Sequence, residues 1–549
     1  MSTLGKIFEE LLRASERERK EELLREVSFA LEKNFSGAMT ELTEAIDQPQ
    51  PAESRAFEAP KAARQTWKNF VGNQIAQPLQ IFRPRNFAEL LSVIREAQRN
   101  QRRVKAAGSG HSHSEVALTS DFLIDTHGLN KVLKLDETVL KNNVATATLV
   151  HAECGIRIRD LNEELDKRGL ALLNMGGYTA QTIIGAISTG THGSGITLGP
   201  LADFIESLEL LAEDGTIYRI EPSNGITDAE KFRARYRGVT LVQNDDWFHS
   251  VAISLGVMGV VYSVILRVTQ KYWLQETRTV STWNVVKEEL RAGEVLHANR
   301  HYEVLVNPYA VNGQHTCLIT KRNLADEPKS PSFDRAHRNF FAELLASLPG
   351  IDRTLLLLLD TFPELTPRIL EQALKGLEDK IYTDKSYKVL DLGAANKIKA
   401  YSSEIGVPLD KCVEAVERII QVAEEQRRLG KIYMTSPMSL RFVKASPAYM
   451  AMMHGYDTCM IELPIIDGTH GGYELLRRFE EALYECSGRP HWGQINFVAS
   501  SNGFLYAMYP KYHKWLEVYH ALHKNGMFEN GFTARVGFSA HKFIAQPVK

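Results

Sequence analysis

The sequence contains few cysteines, and their spacing does not suggest a structural site. Among 549 residues there are five cysteines, an odd number in which no two have the CxxC spacing. This pattern argues against a disulfide framework and against a zinc site, and we expect no bound metal. We predict isolated buried thiols in a reducing compartment, namely Cys154, Cys317, Cys412, Cys459 and Cys486.

Long apolar runs are also absent. The N-terminal segment MSTLGKIFEELLRASERERK is charged throughout and lacks the apolar core of a secretory signal. The longest leucine run, at 355–359, is far too short to cross a bilayer. We therefore predict a cytoplasmic protein without a membrane anchor.

An excess of charge of one sign is missing as well. Lysine and arginine number 65 against 67 aspartates and glutamates, which gives a net charge of −2. Nucleic-acid binding usually requires a basic surface, so we predict no nucleic-acid partner. The apolar fraction of 44% and the charged fraction of 24% are typical of a globular chain. The length is sufficient for more than one domain.

Glycine and serine are concentrated in two stretches that also contain histidine. The first, VKAAGSGHSHS at Val104–Ser114, is a strand-like run followed by small residues and His111. Small residues allow backbone N–H groups to approach an anion closely. The second, GGYTAQTIIGAISTGTHGSG at Gly176–Gly195, combines glycines, hydroxyl side chains and His192. Two loops of this kind predict one large anionic ligand bound from both sides.

The chain divides by composition into three parts. Residues 1–64 carry apolar residues at helical spacing and end in a proline-containing linker at 47–63. We interpret them as a helical pair packed on the body, with partner docking or oligomerisation as the alternative. Residues 65–270 contain both glycine-rich loops. Residues 271–549 mix strand-like and helical segments, which predicts an α+β domain with a sheet covered on one face.

Local patterns predict individual elements. Asn86 and Glu89 resemble a capping box at the start of a helix, and Gly169 is suited to ending another helix. Residues 205–219 alternate and predict a hairpin. Further helices are predicted at 157–168, 367–377, 411–428, 467–486 and 510–524, and strands at 301–306 and 316–320.

Several segments together resemble a known family. They are IFRPRNFAELLSVIREA, VKAAGSGHS, FLIDTHGLNKV, TIIGAISTGTHGSG and LGVMGVVYSVILRV, with RPHWGQ, MYPKYHKW and GMFENGFTARV far downstream. In this order they resemble the FAD-linked oxidases of the vanillyl-alcohol-oxidase superfamily, which have a PCMH-type FAD-binding domain. Within that superfamily they are similar to the aldonolactone oxidase group, which includes L-gulonolactone, D-arabinono-1,4-lactone and alditol oxidases. The resemblance extends from about Trp67 to Phe538.

The resemblance implies a fold and a cofactor. The fold is α+β, with a two-subdomain PCMH-type FAD-binding domain at 65–270. A cap domain at 271–549 follows, whose sheet covers the flavin and whose last segment returns to the first domain. The cofactor is FAD. His111 matches the histidine that bonds covalently to the 8α carbon of the flavin, and His113 is the alternative. The second loop contains no cysteine, so one covalent link at most is expected.

Further residues are expected to bind FAD because they match the two loops or the segment that lies beside the adenine. Within this set we interpret His192 as a residue that holds the second loop. The expected cofactor-binding residues are Ala107, Gly108, Ser109, Gly110, His111, Ser112, Gly177, Thr182, Gly185, Ser188, Thr189, Gly190, Thr191, His192, Gly193, Val260 and Val261.

The resemblance also indicates residues near the substrate. Arg441, in PMSLRF, matches the arginine above the flavin ring, where a fixed positive charge stabilises developing negative charge. His491, in PHW, is either the proton acceptor or a structural donor, and Trp492 beside it is expected to pack near the flavin. Glu462 and Glu404 are acids on neighbouring segments, and either would orient a substrate hydroxyl group.

The sequence departs from the family pattern at three polar positions. Ser439 stands where the family usually has a glutamate, two residues before the arginine, and Gln494 stands where it usually has a lysine. An ungapped count places Pro464 where alditol oxidases have a substrate-contacting threonine. Loss of a hydrogen-bonding partner in a polyol site costs orders of magnitude in specificity. These changes therefore affect the choice of substrate more than the flavin chemistry.

These expectations lead to one functional hypothesis and two alternatives. We predict an FAD-dependent enzyme that oxidises a CH–OH group by hydride transfer to the flavin. Its expected partners are an alcohol or lactone substrate, most simply an aldonolactone, and oxygen or another electron acceptor. The first alternative is the same machinery acting on an alditol, a sugar or a less polar alcohol such as a sterol. The second is a flavoprotein without catalysis that has a binding role.

Overall fold

The computed structural model describes residues 65–328, 351–392 and 399–539, together with scattered positions between 6 and 29. Those scattered positions are helical, as the periodicity of the N-terminal extension predicts, and Leu23 and Val27 among them are buried. The predicted linker at 47–63 lies outside the described residues. The two parts that follow the extension contain the sheets that position the candidate site.

Residues 65–270 fold into short strands joined by helices. The strands are β1 (Trp67–Lys68), β2 (Ile75–Ala76), β3 (Gln80–Phe82), β4 (Val104–Ala107), β5 (Phe122–Asp125), β6 (Val132–Leu133), β7 (Leu149–Glu153), β8 (Leu170–Ala171), β9 (Ile205–Leu211), β10 (Ile217–Glu221), β11 (Val239–Gln243), β12 (Val260–Arg267) and β13 (Thr269–Gln270). The helices are α1 (Phe87–Arg99), α2 (Ile158–Lys167), α3 (Ile183–Ser188), α4 (Ala229–Arg235) and α5 (Asp245–Val251).

Two sheets organise this first part. A parallel sheet has the order β3-β5-β4, so the chain opens as a βαβ unit with β5 inserted between its two strands. The larger sheet has the order β11-β10-β9-β12-β7-β6. Within it β9 and β10 pair antiparallel as the predicted hairpin. Gly215 in the turn has a φ of +80°, a conformation that favours glycine.

Local sequence determines where the helices of this part begin and end. Asn86 Oδ1 accepts a hydrogen bond from Glu89 N at 2.9 Å and caps α1. α1 buries Leu90 and Ile94, which lie four residues apart on one helix face. α2 ends just before Gly169, whose φ is +71°. Both predicted helices are confirmed to within a residue or two.

Residues 271–539 contain one large sheet and most of the longer helices. The strands are β14 (Trp273–Thr282), β15 (His301–Val306), β16 (Thr316–Ala325), β17 (Asp379–Lys385), β18 (Ala400–Pro408), β19 (Met438–Val443), β20 (Thr458–Ile466) and β21 (Arg489–Pro490). The helices are α6 (Trp283–Ala292), α7 (Glu294–Ala298), α8 (Ile351–Thr361), α9 (Thr366–Gly376), α10 (Ser386–Leu390), α11 (Cys412–Gly430), α12 (Gly472–Tyr484), α13 (Asn502–Met508), α14 (Tyr512–Leu522) and α15 (Gly531–Val536).

The large sheet is antiparallel, with the order β17-β14-β16-β15-β19-β20-β18-β21. One face packs against α11 and α12 in an apolar core. Because side chains alternate along a strand, Leu440 and Ile461 belong to this core, whereas Arg441 and Glu462 lie on the opposite face. That second face covers the glycine-rich loops. The prediction of an α+β fold is confirmed.

The end of the chain returns to the first part, as the resemblance implies. Asn530 Nδ2 donates hydrogen bonds to the carbonyl oxygens of Glu115 and Leu118 at 3.1 and 3.0 Å. Val104 N, in β4, donates to Met527 O at 2.8 Å. The C-terminal segment therefore supports the strand that leads into the first glycine-rich loop.

The cysteines are buried thiols, as predicted. All the cysteines are buried and none forms a disulfide, although the sulfur atoms of Cys412 and Cys459 lie 3.2 Å apart. The helices among the described residues are too short or too polar to span a bilayer.

Candidate active site

A cavity of about 620 Å³ lies between the two glycine-rich loops and the large sheet. We call the two loops, Val104–Ser114 and Gly176–Gly195, the floor of this cavity. We call the loop-facing side of β15, β19, β20 and β18 its roof. Both loops line the same space, which is the arrangement expected of two loops that bind one ligand from opposite sides.

Small residues allow the two loops of the floor to touch. A Cβ atom added at Gly108 would lie 1.9 Å from Thr182 Oγ1, so this contact requires glycine at 108. Gly110 has a φ of +64°, in the left-handed region that favours glycine. Ser109 Oγ donates to Ala180 O at 2.5 Å and joins the loops a second time. The floor is therefore a surface rich in backbone groups.

His111 lines the cavity and has a ring nitrogen without a partner. Its ring stacks on Tyr178, with 3.7 Å between the ring centroids and 9° between the planes, and Phe70 lies 4.7 Å away by the same measure. Nδ1 of His111 is buried and makes no hydrogen bond. Burial, with a smaller effect of His113, lowers the pKa of the His111 ring to about 3. The ring is therefore neutral and held in place, with one nitrogen available for a bond.

His113 is bound to the roof instead. Its Nδ1 accepts a hydrogen bond from Ser402 N at 3.1 Å, and burial lowers the pKa of the ring to about 4. Its backbone N donates to Gly493 O at 2.7 Å. Through these hydrogen bonds, His113 connects the first glycine-rich loop to the second part of the chain. Of the two histidines, His111 is the better candidate for a covalent bond to a cofactor.

Most of the expected cofactor-binding residues line the cavity. Gly190 and Gly193 do not line the cavity, but the second loop requires glycine at both positions. Gly190 has a φ of +84°, and a Cβ at Gly193 would lie 2.3 Å from Asn174 Oδ1. The residues that line the cavity are Ala107, Gly108, Ser109, Gly110, His111, Ser112, Gly177, Thr182, Gly185, Ser188, Thr189, Thr191, His192, Val260 and Val261.

Strand pairing brings polar side chains of the roof into one row. Ser439 on β19 is the register partner of Glu462 on β20, and Glu462 is the partner of Glu404 on β18. Directly opposed residues of an antiparallel pair have their side chains on the same face of the sheet. All three line the cavity. We call Ser439, Glu462 and Glu404 the polar row.

Arg441 lies beside the polar row and gives its two carboxyl groups different properties. Arg441 Nη1 is 3.0 Å from Glu462 Oε2 and 3.7 Å from Glu404 Oε1. Burial raises the pKa of Glu462 above the ordinary value, and the Arg441 charge offsets only part of this effect. Burial also acts to raise the pKa of Glu404, but His192 and Arg441 together hold it below the ordinary value. Glu404 therefore stays ionised, and Glu462 is the acid that exchanges a proton more readily.

Two histidines flank Glu404 and have different roles. His192 Nε2 lies 3.2 Å from Glu404 Oε1, and its Nδ1 lies 2.8 Å from Gly193 O, which supports the interpretation that His192 holds the second loop. His491 Nδ1 accepts a hydrogen bond from Gly493 N at 3.0 Å, and burial lowers the pKa of this ring to about 4. A neutral ring with Nδ1 as acceptor carries its proton on Nε2. Of the two roles considered for His491, the structure favours the donor.

The same cluster has the spacing of a metal site. One ligand-type atom from each of His192, Glu404 and His491 lies within 4.8 Å of the others. Arg441 Nη1, however, lies 3.7 Å from the Glu404 oxygen that faces His192. Its fixed positive charge would repel a cation at this position. We therefore interpret the cluster as a network of ion pairs and hydrogen bonds.

Gln494 and Pro464, where the sequence departs from the family pattern, both line the cavity. Gln494 Oε1 accepts a hydrogen bond from Ser402 Oγ at 2.9 Å, so it belongs to the network that also contains His113. Pro464 lies on the roof and lines the cavity, where it offers no donor. Pro464 therefore does not replace the polar contact that the family usually has at this position.

Trp492 lies in the core next to the cavity residues His491 and Gly493, and its expected packing near the flavin stays a prediction. Trp492 is fully buried but does not line the cavity. Its indole N–H donates to Met450 O at 2.7 Å, and its ring packs against Tyr509 and Phe532. The indole is thus part of the core beside the roof, because its N–H finds a backbone acceptor there.

Lys105 is a cavity residue that the sequence analysis did not single out. It lies on β4, is 1% exposed, and its Nζ donates to Gly256 O at 3.1 Å and to Phe528 O at 3.2 Å. Burial lowers its pKa to about 7. The signal in the sequence was a lysine inside the otherwise apolar run VKAA, at the start of the first loop. A lysine at this position adds positive charge to the floor.

The residues of the floor fit FAD. Glycine-rich backbone segments suit a pyrophosphate group. The buried and unpartnered Nδ1 of His111 suits a covalent bond to a flavin. Val260 and Val261 provide an apolar wall at the part of the cavity formed by β12. The chemistry of these groups matches a large ligand with an anionic centre and flat rings.

Comparison with known proteins agrees with this geometry. Residues 78–221 match the model of an FAD binding domain, and residues 264–536 match the model of the D-arabinono-1,4-lactone oxidase family. An L-gulono-1,4-lactone dehydrogenase of Mycobacterium tuberculosis is 28% identical over 475 residues, which are 86% of this chain and 98% of that protein. The L-gulonolactone oxidase of Mus musculus is 26% identical over 480 residues, 86% of this chain and 97% of that protein.

Solved structures show the same fold. Cholesterol oxidase from Brevibacterium sterolicum superposes with a TM-score of 0.67 at 13% sequence identity, and the match covers 86% of this chain and 96% of that structure. At this identity the likeness concerns the fold alone. With the FAD-binding and lactone oxidase models matched in succession, and relatives aligned over nearly their whole length, the chain belongs to the FAD-dependent aldonolactone oxidase family.

Proposed function

We propose that this protein oxidises a CH–OH group of an aldonolactone, with FAD as the hydride acceptor and oxygen as the final acceptor. The observation that carries the proposal is the position of Arg441 and Glu462, which face the cavity whose floor is formed by both glycine-rich loops. The family models and the relatives indicate the class of substrate. The roof offers what oxidation of a hydroxyl group needs, namely a proton acceptor and a fixed positive charge.

FAD, when bound, supplies the acceptor for the hydride that leaves the substrate carbon. The floor would hold it, and we assign its covalent attachment to His111. The support is the unpartnered Nδ1 of His111, in contrast to His113, which is hydrogen-bonded to Ser402. Side chains of the roof would orient the substrate and receive its hydroxyl proton.

We assign removal of the hydroxyl proton to Glu462. Its raised pKa makes it a better base than an ordinary glutamate once it is ionised. Its side chain is 23% exposed to the cavity, against 5% for Glu404, so a substrate reaches Glu462 more easily. Because Glu462 is the register partner of Ser439, it supplies a carboxylate at the level of the sheet where the family usually has its glutamate.

The neighbours of Glu462 complete the site. Arg441 would stabilise the negative charge that develops on the substrate oxygen, and its ion pair with Glu462 holds the guanidinium group in place. His491 would donate a hydrogen bond from Nε2. Glu404 is a positioning residue, because it is ionised, almost fully buried and in contact with both His192 and Arg441.

Anaerobic mixing of the purified holoenzyme with L-gulono-1,4-lactone and D-arabinono-1,4-lactone tests the proposal. We expect the visible absorbance of the flavin to disappear, and to return with release of hydrogen peroxide when air is admitted. Bleaching without recovery in air would identify a dehydrogenase with another acceptor. If no lactone bleaches a flavin-containing sample, the proposal is wrong. Alditols, free sugars and a sterol, tested in parallel, then distinguish another alcohol substrate from a flavoprotein without catalysis.

Acid precipitation tests the covalent bond separately. We expect the flavin to stay with the precipitated wild-type chain and with the His113→Ala variant, and to be released from the His111→Ala variant. Flavin that remains attached in His111→Ala, or that is lost only in His113→Ala, would contradict the assignment. The cytoplasmic location and the absence of a nucleic-acid partner stay predictions from composition.

A further inference from the structure

The cavity extends past the polar row into a region whose walls are apolar. One wall is the side of α9 that carries Ile369, Leu370, Ala373 and Leu374, continued by Leu377 just after the helix. These positions recur at intervals of one, three and four residues and so lie on a single helix face. The side chains of this face belong to the cavity lining.

The other wall of this region is the roof itself. Leu305 on β15 is the register partner of Ser439 and so continues the polar row with an apolar side chain. Along β20, Pro464 and Ile466 follow Glu462 at two-residue intervals and lie on the same face. We call the space between these residues and the cavity-facing side of α9 the apolar arm.

α9 is held over the roof by a buried hydrogen bond. Asn307, two residues beyond Leu305, donates from Nδ2 to the backbone oxygen of Pro367 at 2.8 Å. Asn307 and Pro367 are both buried. The start of the helix is therefore fixed to the end of β15, which places its apolar face next to the polar row.

Two hydroxyl groups near the arm, those of Thr435 and Ser402, already have partners within the protein. Thr435 Oγ1 accepts a hydrogen bond from Ile466 N at 3.0 Å and lies 3.1 Å from Thr469 Oγ1. Ser402 Oγ donates to Gln494 Oε1 at 2.9 Å. Among the described residues, the charged side chains that line the cavity lie outside the arm; they are Lys105, Glu404, Arg441 and Glu462.

We propose that the apolar arm binds an apolar substituent of the substrate, so that the preferred substrate is a hydroxylactone carrying an alkyl or acyl group. A polyol chain placed in the arm would lose its hydrogen bonds to water and find few partners, which is unfavourable. An alkyl chain in the same place gains from leaving water. The inference rests on the proposed lactone oxidation, because Glu462 and Arg441 still provide the reacting end of the site.

The test compares L-gulono-1,4-lactone with the same lactone carrying a hexanoyl ester on its terminal hydroxyl group. Both Kd, from perturbation of the flavin spectrum under anaerobic conditions or from thermal stabilisation of the holoenzyme, and kcat/KM are measured. Each buried methylene group improves binding about fourfold. With two or more such groups in the arm, we expect the ester to bind at least about tenfold more tightly than the parent lactone.

Variants of α9 test whether the arm is responsible. Ala373→Trp fills the arm and Leu377→Gln makes its rim polar, and both are expected to remove most of the preference for the ester. Lys375→Trp, on the exposed side of the same helix, is the matched control and is expected to keep it. Leu377 is only half-buried, so its variant remains informative if Ala373→Trp does not fold.

The outcomes separate this inference from the proposed function. Equal or weaker binding of the ester, or a preference that survives both arm variants, overturns the inference even if the parent lactone reduces the flavin. Tighter binding of the ester that depends on Ala373 and Leu377 supports it through the binding measurement. If neither compound bleaches the flavin, the proposed oxidation fails, and the binding data still decide whether the arm accepts the acyl group.

Discussion

The floor and the roof of the cavity are built in opposite ways. The floor consists of small residues whose backbone and close packing form the surface, as at Gly108, where only glycine fits against Thr182. The roof consists of side chains that project from a regular sheet, and its chemistry depends on which residues the strand register places together. The floor follows the family pattern closely, whereas the roof departs from it.

This difference explains how the roof of this chain can depart from the family pattern while its floor follows that pattern. A floor made from backbone groups has few residues that can change without a clash. On the roof, an acidic residue that is missing from one strand can be replaced by an acidic residue on the neighbouring strand, provided that the two positions are register partners. Ser439 and Glu462 are such a pair. The roof therefore retains an acid near Arg441 although the expected glutamate is absent.

The largest expected effect is that of Glu462→Gln, which removes the proton acceptor from the roof and leaves the floor intact. General base catalysis contributes about 10²–10⁴-fold, and we expect the rate of flavin reduction by the lactone to fall by about that factor at unchanged flavin content. Rapid-mixing absorbance measures it, with Glu474→Gln, on the outer side of α12, as the control. A wild-type rate in Glu462→Gln would show that another group takes the proton.

The pH dependence of the same reaction is a second test of Glu462 as the base. Burial raises the pKa of Glu462, so a base at this position loses activity as the pH falls through a value above that of an ordinary glutamate. We expect kcat/KM of the wild-type enzyme to show this acid limb and Glu462→Gln to lack it. An identical acid limb in both enzymes would assign the titration to a different group.

Next in size is the exchange of the acid between the two strands. Ser439→Glu alone places two carboxylates opposite each other and is expected to lower activity, since like charges directly across a strand pair repel. The double variant Ser439→Glu/Glu462→Ser returns the acid to the strand of Arg441. We expect it to react about tenfold faster than Glu462→Ser alone, which corresponds to ~1.4 kcal/mol in activation free energy. Absence of recovery would mean that the two positions are not equivalent.

The sequence was most informative about the floor, for a physical reason. Gly108 matters because of its small size and His111 because of its ring nitrogen. Both are properties of the residue itself, so a sequence motif is enough to locate them. The role of Glu462 depends on the pairing of β19 with β20, and the position of α9 depends on contacts between distant segments, such as the hydrogen bond from Asn307 to Pro367. Such long-range contacts are not visible in local patterns. The packing of Trp492 likewise depends on a partner, Met450 O, that lies far from it in sequence.

A smaller effect is expected when the floor itself is changed. Gly108→Ala forces Thr182 to move, because the added Cβ would lie 1.9 Å from Thr182 Oγ1. Overpacking of this kind costs about 1–3 kcal/mol, which we expect to appear as weaker retention of FAD and a lower Tm. Gly238→Ala is the matched control, because nothing lies within 4 Å of its Cβ. Equal FAD content and Tm in both variants would show that the floor tolerates side chains.

The smallest effect concerns the position where the family usually has a lysine on the roof. Gln494→Lys removes the acceptor of the Ser402 hydroxyl group, a bond that also stabilises the surroundings of His113. Loss of one such hydrogen bond costs about 1 kcal/mol, so we expect a slightly lower Tm. We also expect no gain in kcat/KM for L-gulono-1,4-lactone, since the residues around Gln494 are arranged for an amide. If Gln494→Lys instead oxidises L-gulono-1,4-lactone faster, the backbone of the roof still has the geometry of a polyol site. The roof would then depart from the family pattern only in the identity of its side chains.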